Sequence, residues 1–164
     1  MKTKVLFMFM AAILFIGCKP TSQPFTPVSV EAQEIYIKWI NEDGVTTPAA
    51  PEVRVINSVQ EYLSFETEFN IGQWVMDTLK VPISDIDFTT QQIVVVYSER
   101  SFIFSGTPLF SIQFDKAIEY ENYIECSIRK IIDMTSATGR SVMFILMPKT
   151  SKTIQTEWFF GERV

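Results

Sequence analysis

The sequence predicts an α+β domain: a mostly antiparallel β-sheet or partly open barrel of about six strands, with one main helix packed on a face. Three features predict it. Several segments alternate apolar and polar residues with the period of a strand. Residues 93–96 and 141–147 are apolar on both faces, which places those strands centrally in their sheet. Residues 58–69 alone carry a strong helical pattern, opened by Ser58 and Glu61 at capping-box spacing.

Taken in order, residues 34–40 form the first strand. Ile35, Ile37 and Trp39 point one way, and Tyr36, Lys38 and Ile40 the other. Asn41 to Gly44 supply turn chemistry, with Gly44 free to take a positive φ. Residues 46–51 are a loop with two prolines, and 53–56 a short strand. On the helix, Val59, Tyr62, Leu63 and Phe69 share a face, with Glu61, Glu66 and Glu68 off it. Residues 72–80 allow a second short helix, ended by Pro82. Asp85-Ile86-Asp87-Phe88 leads into a strand over 92–97, and residues 98–106 form a loop. Residues 109–118 set Phe110, Ile112, Phe114 and Ile118 against Ser111, Gln113 and Asp115. After a turn at 119–122, residues 123–132 return with Ile124, Cys126, Ile128 and Ile132 on one face. The two make an antiparallel hairpin. A loop at 133–140 precedes the apolar strand 141–147, which Pro148 stops, and residues 153–160 form the last strand.

The leader fixes the compartment. Lys2 and Lys4 form a positive n-region, and residues 5–16 hold no charge or proline. That apolar run spans roughly 18 Å as a helix, short of a bilayer core of about 30 Å, so it fits a signal-peptide h-region. Phe15-Ile16-Gly17-Cys18 resembles a bacterial lipobox, with Phe15 where leucine is commoner. The resemblance implies that Cys18 is lipidated and becomes the new N-terminus. The alternative is that Cys18 is an ordinary small residue of a plain signal peptide. The organisation expected is a signal peptide over 1–17, a lipid anchor and Pro-rich tether over 18–28, and a single domain over 29–164. Lys19 carries no acidic retention signal of the enterobacterial kind, which points to the outer membrane.

Composition narrows function. The chain has 14 Lys+Arg and 19 Asp+Glu; without Lys2 and Lys4 the formal charge moves from −5 to −7. That disfavours nucleic acid as a partner. There is no histidine, which removes the usual general base, His-dependent triads and His-ligated metals. With Cys18 lipidated, only Cys126 remains, on the apolar face of its strand, where it reads as a buried small hydrophobe. Gly-rich phosphate loops and Gly-x-Ser-x-Gly are absent. Asp85 and Asp87 lack the further ligands of a calcium loop. No cofactor and no metal are expected. Two carboxylate pairs, Asp85 with Asp87 and Glu119 with Glu121, suit glycoside-type hydrolysis only if held across a cleft. Otherwise they read as a turn before a buried strand and a solvated hairpin end.

The stretch 55–149 resembles the C-terminal domain family of the protease-complex subunit PrcB. Asp87-Phe88 with residues 93–97, Gly106 with Phe110-Ser111-Ile112, and Met147-Pro148-Lys149 carry the resemblance. Where that family has paired glycines and a tyrosine, this chain has Thr107-Pro108-Leu109-Phe110. The resemblance implies a non-catalytic accessory domain that helps assemble or stabilise a partner. The first functional expectation is therefore an envelope lipoprotein whose domain binds a protein. Phe102 and Phe104, i and i+2 in a loop, are the candidate contacts. Trp158 and Phe160 are expected in the core. A carbohydrate- or small-ligand-binding module is the alternative, and a carboxylate hydrolase the third.

Overall fold

A computed structural model describes residues 24–41, 52–69, 79–98, 109–133 and 139–161. The strands are β1 (Val28–Val30), β2 (Gln33–Asn41), β3 (Glu52–Ile56), β4 (Gln91–Tyr97), β5 (Leu109–Glu119), β6 (Tyr123–Asp133), β7 (Gly139–Pro148) and β8 (Thr153–Phe160). Helix α1 spans Val59–Phe69, and a single 3-10 turn spans Ile83–Asp85. The expected α+β class, rich in antiparallel strands with one helix, holds. The strand number does not: among the described residues, eight strands form two open four-stranded sheets, ordered β1-β5-β6-β8 and β2-β7-β4-β3. Every pairing is antiparallel except β6 with β8. β7 leaves for the second sheet and the chain returns as β8, so β8 runs parallel to β6.

Two sheets are needed because β4 and β7 are apolar on both faces. Ile93, Val95, Tyr97, Val142, Phe144 and Leu146 face a layer containing Tyr62 and Phe65 of α1. Val94, Val96, Met143, Ile145 and Met147 face Ile112, Ala117, Ile124, Cys126 and Ile128 of the other sheet. The result is helix on sheet on sheet. Phe144 is the hub beneath the helix. Its ring centroid lies 4.9 Å from Tyr36, 5.8 Å from Phe65 and 6.5 Å from Tyr62. Those tilted and edge-on approaches match the ring quadrupoles.

Helix α1 starts as its sequence says. Ser58 Oγ accepts the Glu61 N–H at 3.1 Å. The Glu61 carboxylate reaches back to the Asn57 N–H at 2.6 Å, one residue before the cap. Its buried stripe differs from the expected one. Tyr62 and Phe65 are buried, while Val59 and Leu63 are each 47% exposed. Phe65 packs on both Phe144 and Tyr97. Placing that ring inward turns Val59 and Leu63 to the flank and half-buries Glu66. Arg54 on β3 grips Glu68 with both terminal guanidinium nitrogens, at 2.6 and 3.1 Å, and ties the helix end to the sheet.

Two bulges reset the alternation. In β2 the register shifts between Glu34 and Tyr36, so Ile35 and Tyr36 are both buried and Ile37 is exposed. The Ile35 carbonyl accepts the Lys80 N–H at 2.8 Å. In β5 the shift between Phe114 and Lys116 makes Asp115 the extra residue. Beyond it Ala117, rather than Ile118, enters the core. β1 takes Val28, expected at the end of the tether, into the sheet opposite Glu119. Three residues are too short to show alternation in sequence.

Candidate functional site

Cys18, Phe102 and Phe104, with the stretch 72–78 of the second expected helix, lie outside the described residues. The remaining chemistry-bearing residues are mostly engaged in holding the fold. Asp87 Oδ1 accepts from the Thr89 N–H at 3.0 Å and the Thr89 hydroxyl at 2.6 Å, and Oδ2 from the Thr90 hydroxyl at 2.9 Å. The Thr89 hydroxyl, with the Thr89 N–H and Thr90, holds this carboxyl below its usual range. Its backbone carbonyl receives the Thr90 and Gln91 N–H groups. Asp87 therefore shapes the turn into β4, while Asp85 accepts from Ser84 at 3.0 Å. Glu119 pairs with Lys152 at 2.8 Å, and Glu121 is exposed at the hairpin turn. Neither pair spans a cleft.

Cys126 is fully buried between the sheets. Burial, with a contribution from Glu125, pushes its thiol up to about 12, so it carries almost no thiolate at neutral pH. Tyr62 behaves similarly: burial, then the Glu66 carboxyl one turn on, raises its phenol well above the ordinary value. Lys149, the end of the Pro-Lys motif, donates to the carbonyls of Phe88 at 2.9 Å and Asn57 at 3.4 Å. Lys152 donates to the Tyr120 carbonyl at 2.7 Å and lies 4.8 Å from the Phe25 ring centre. Both lysines are staples between segments.

Two features remain open. The first is a cavity of about 400 Å³ where the β1–β2 link meets the start of β4 and the end of β7. Its polar wall is Glu31, Gln33, Thr90 and Gln91, over Leu146 and Met147. Its volume lies in the range of small-ligand sites. Among the described residues Glu31 has no cation at ion-pair distance. Gln91 Oε1 accepts the Asp87 N–H at 3.3 Å. Next to it, fully buried Gln92 accepts the Thr150 N–H at 3.2 Å, and its Nε2 has no acceptor among the described residues. These residues come from segments far apart in the chain, and no sequence pattern joins them.

The second feature is β8, the outer strand of its sheet. Trp158 is half-buried against the inter-sheet core, and its indole N–H donates to the Thr156 hydroxyl at 3.0 Å. Phe160, expected in the core, is 66% exposed. The strand outruns the core at this end, and the ring lies under Lys130 Nζ, 5.7 Å from its centre. Arg129 likewise covers Phe159 at 5.6 Å and pairs with Asp115 at 2.8 Å.

The Asp87 turn has a pH signature. A folded-state carboxyl held below its unfolded value contributes stability above the unfolded pKa of about 4 and loses it as pH falls through the folded value. Asp87→Ala should lower the melting temperature at pH 7, with a gap that narrows as pH falls below about 4. Thermal melts of the two proteins across that range test it; a gap independent of pH would mean that the charge of Asp87 does not matter.

No family model, curated protein or solved structure matches the chain.

Proposed function

We propose that the chain is a lipid-anchored protein of the bacterial cell envelope, held at the outer membrane through Cys18, with a non-catalytic β-rich domain that binds or stabilises a protein partner. The engagement of Asp87, Glu119, Lys149 and Lys152 in turns and staples, and the burial of Cys126, favour binding over catalysis. The observation that carries the reading is β8: an eight-residue edge strand that ends in a largely exposed Phe160. Edge strands offer a row of backbone donors and acceptors to another chain. The resemblance to the PrcB C-terminal domain points the same way. A second reading, a site for a small polar ligand, rests on the cavity and on Glu31, which has no cation partner among the described residues.

Two outcomes test this. Cys18→Ser should incorporate no labelled palmitate; equal labelling of the variant would contradict the anchor. Protein cross-linked to the full chain in its own membranes should be lost from Thr156→Pro, which blocks the β8 edge, and kept by Glu31→Gln. The reverse pattern would favour the cavity and the small-ligand reading.

A further inference from the structure

We infer that β8 pairs antiparallel with β8 of a second copy of this chain, about a two-fold axis at Thr156. This rests on the partner-binding reading and names the partner. The four sheet edges are unequally protected. β1 is three residues long. β2 is bulged, and its Ile35 carbonyl is taken by the Lys80 N–H. β3 is five residues long and carries Arg54. Short length, bulges and charges are the usual defences of an edge. β8 has eight residues, an unbroken register with β6, no proline, no lysine and a single charge, Glu157. It is the undefended edge.

The Gly161 N–H donates to the Lys130 carbonyl at 3.2 Å. Backbone polar groups alternate sides along a strand, so residues in step with Gly161 face β6. Ile154, Thr156 and Trp158 then present their N–H and C=O groups outward. Among the described residues, no backbone group reaches these three from that side.

The sequence of β8 selects the occupant and its register. A two-fold axis that keeps the two faces of the sheet continuous must pass through a residue of β8. Axes at Thr156 and Glu157 pair more of the eight-residue strand than any other. The Glu157 axis sets Glu157 against Glu157, and like charges directly opposite destabilise a pair. The Thr156 axis sets Thr156 against Thr156 and Ile154 against Trp158 on the core side. On the outer side it sets the Gln155 amide against the Glu157 carboxylate. Ile154 and Trp158 already line the inter-sheet core, so the apolar layer continues across the axis. The strand is complementary to itself in this register, and its single charge disfavours the other.

Cysteine cross-linking of the full chain tests the register. The Thr156 pair is hydrogen-bonded, with Cα atoms about 5.5 Å apart, inside the disulfide span of about 4.4–6.8 Å. Two copies of residue 155 are diagonal neighbours at about 7–8 Å, beyond that span. Under mild oxidation Thr156→Cys should run as a disulfide dimer, while the more exposed Gln155→Cys stays monomeric. Wild type, with its buried Cys126, supplies the background. By sedimentation the wild type should have twice the mass of Thr156→Pro, whose missing N–H faces away from β6 and costs the fold no rung. Unchanged far-UV circular dichroism confirms that this variant is folded. Random collision would cross-link Gln155→Cys at least as well, and that result overturns the inference. A monomeric wild type whose Thr156→Pro variant loses a captured envelope protein also overturns self-pairing, while leaving partner binding in place. A monomeric wild type whose capture is indifferent to the proline refutes both.

Discussion

β4 and β7 lie side by side in the middle of a sheet that is covered above and below. From Gln92 to Tyr97 and from Val142 to Met147 hardly any side chain meets water. Each large apolar side chain buried this way contributes about 1.5–3 kcal/mol, and the alternation of the strands sends successive residues into two different cores. Phe144 enters the aromatic layer under α1; Met143 and Ile145 enter the layer between the sheets. The other elements can be understood as covers for this pair. α1 and the segment from Leu79 to Phe88 close one side. The β5–β6 hairpin, with Trp158 and Ile154 of β8, closes the other.

The covers explain which parts of the fold were legible in the sequence. Unbroken apolar runs announced β4 and β7, because a strand buried on both faces has no polar positions to spare. The Ser58–Glu61 spacing announced the helix start, because its donors have local solutions. The bulges at Glu34–Tyr36 and at Asp115 were hidden, since an extra residue changes the phase of a strand only when its partner is known. That is why simple alternation points Ile118 to the core position that Ala117 holds. The rotation of α1 was hidden for a related reason: Phe65 is drawn inward by Phe144 and Tyr97, which are about eighty and thirty residues away in the chain. β1 was too short to register at all.

Function was less legible because the conspicuous residues do structural work. Paired acids that suggest chemistry on paper are a turn around Asp87 and an ion pair from Glu119 to Lys152. The Pro-Lys pattern marks a staple at the end of β7. What remains open to a partner is a property of topology: the return of the chain parallel to β6 leaves β8 outermost, and its side chains carry few of the features that blunt an edge. An edge of this kind is visible only after strand order is known. The cavity beside Glu31 has the same character, since the β1–β2 link, β4 and β7 meet there only in three dimensions.

Native-state hydrogen exchange, followed residue by residue, shows whether the fold is built around the β4–β7 pair. If the β4–β7 pair is the doubly covered centre, amides of Ile93 to Val96 and Val142 to Leu146 should exchange slowest and only through global unfolding. β8 and α1 should open earlier through local events. Faster exchange in β4 and β7 than in β6 or α1, or separate unfolding of the two strands, would contradict a fold built around their pairing.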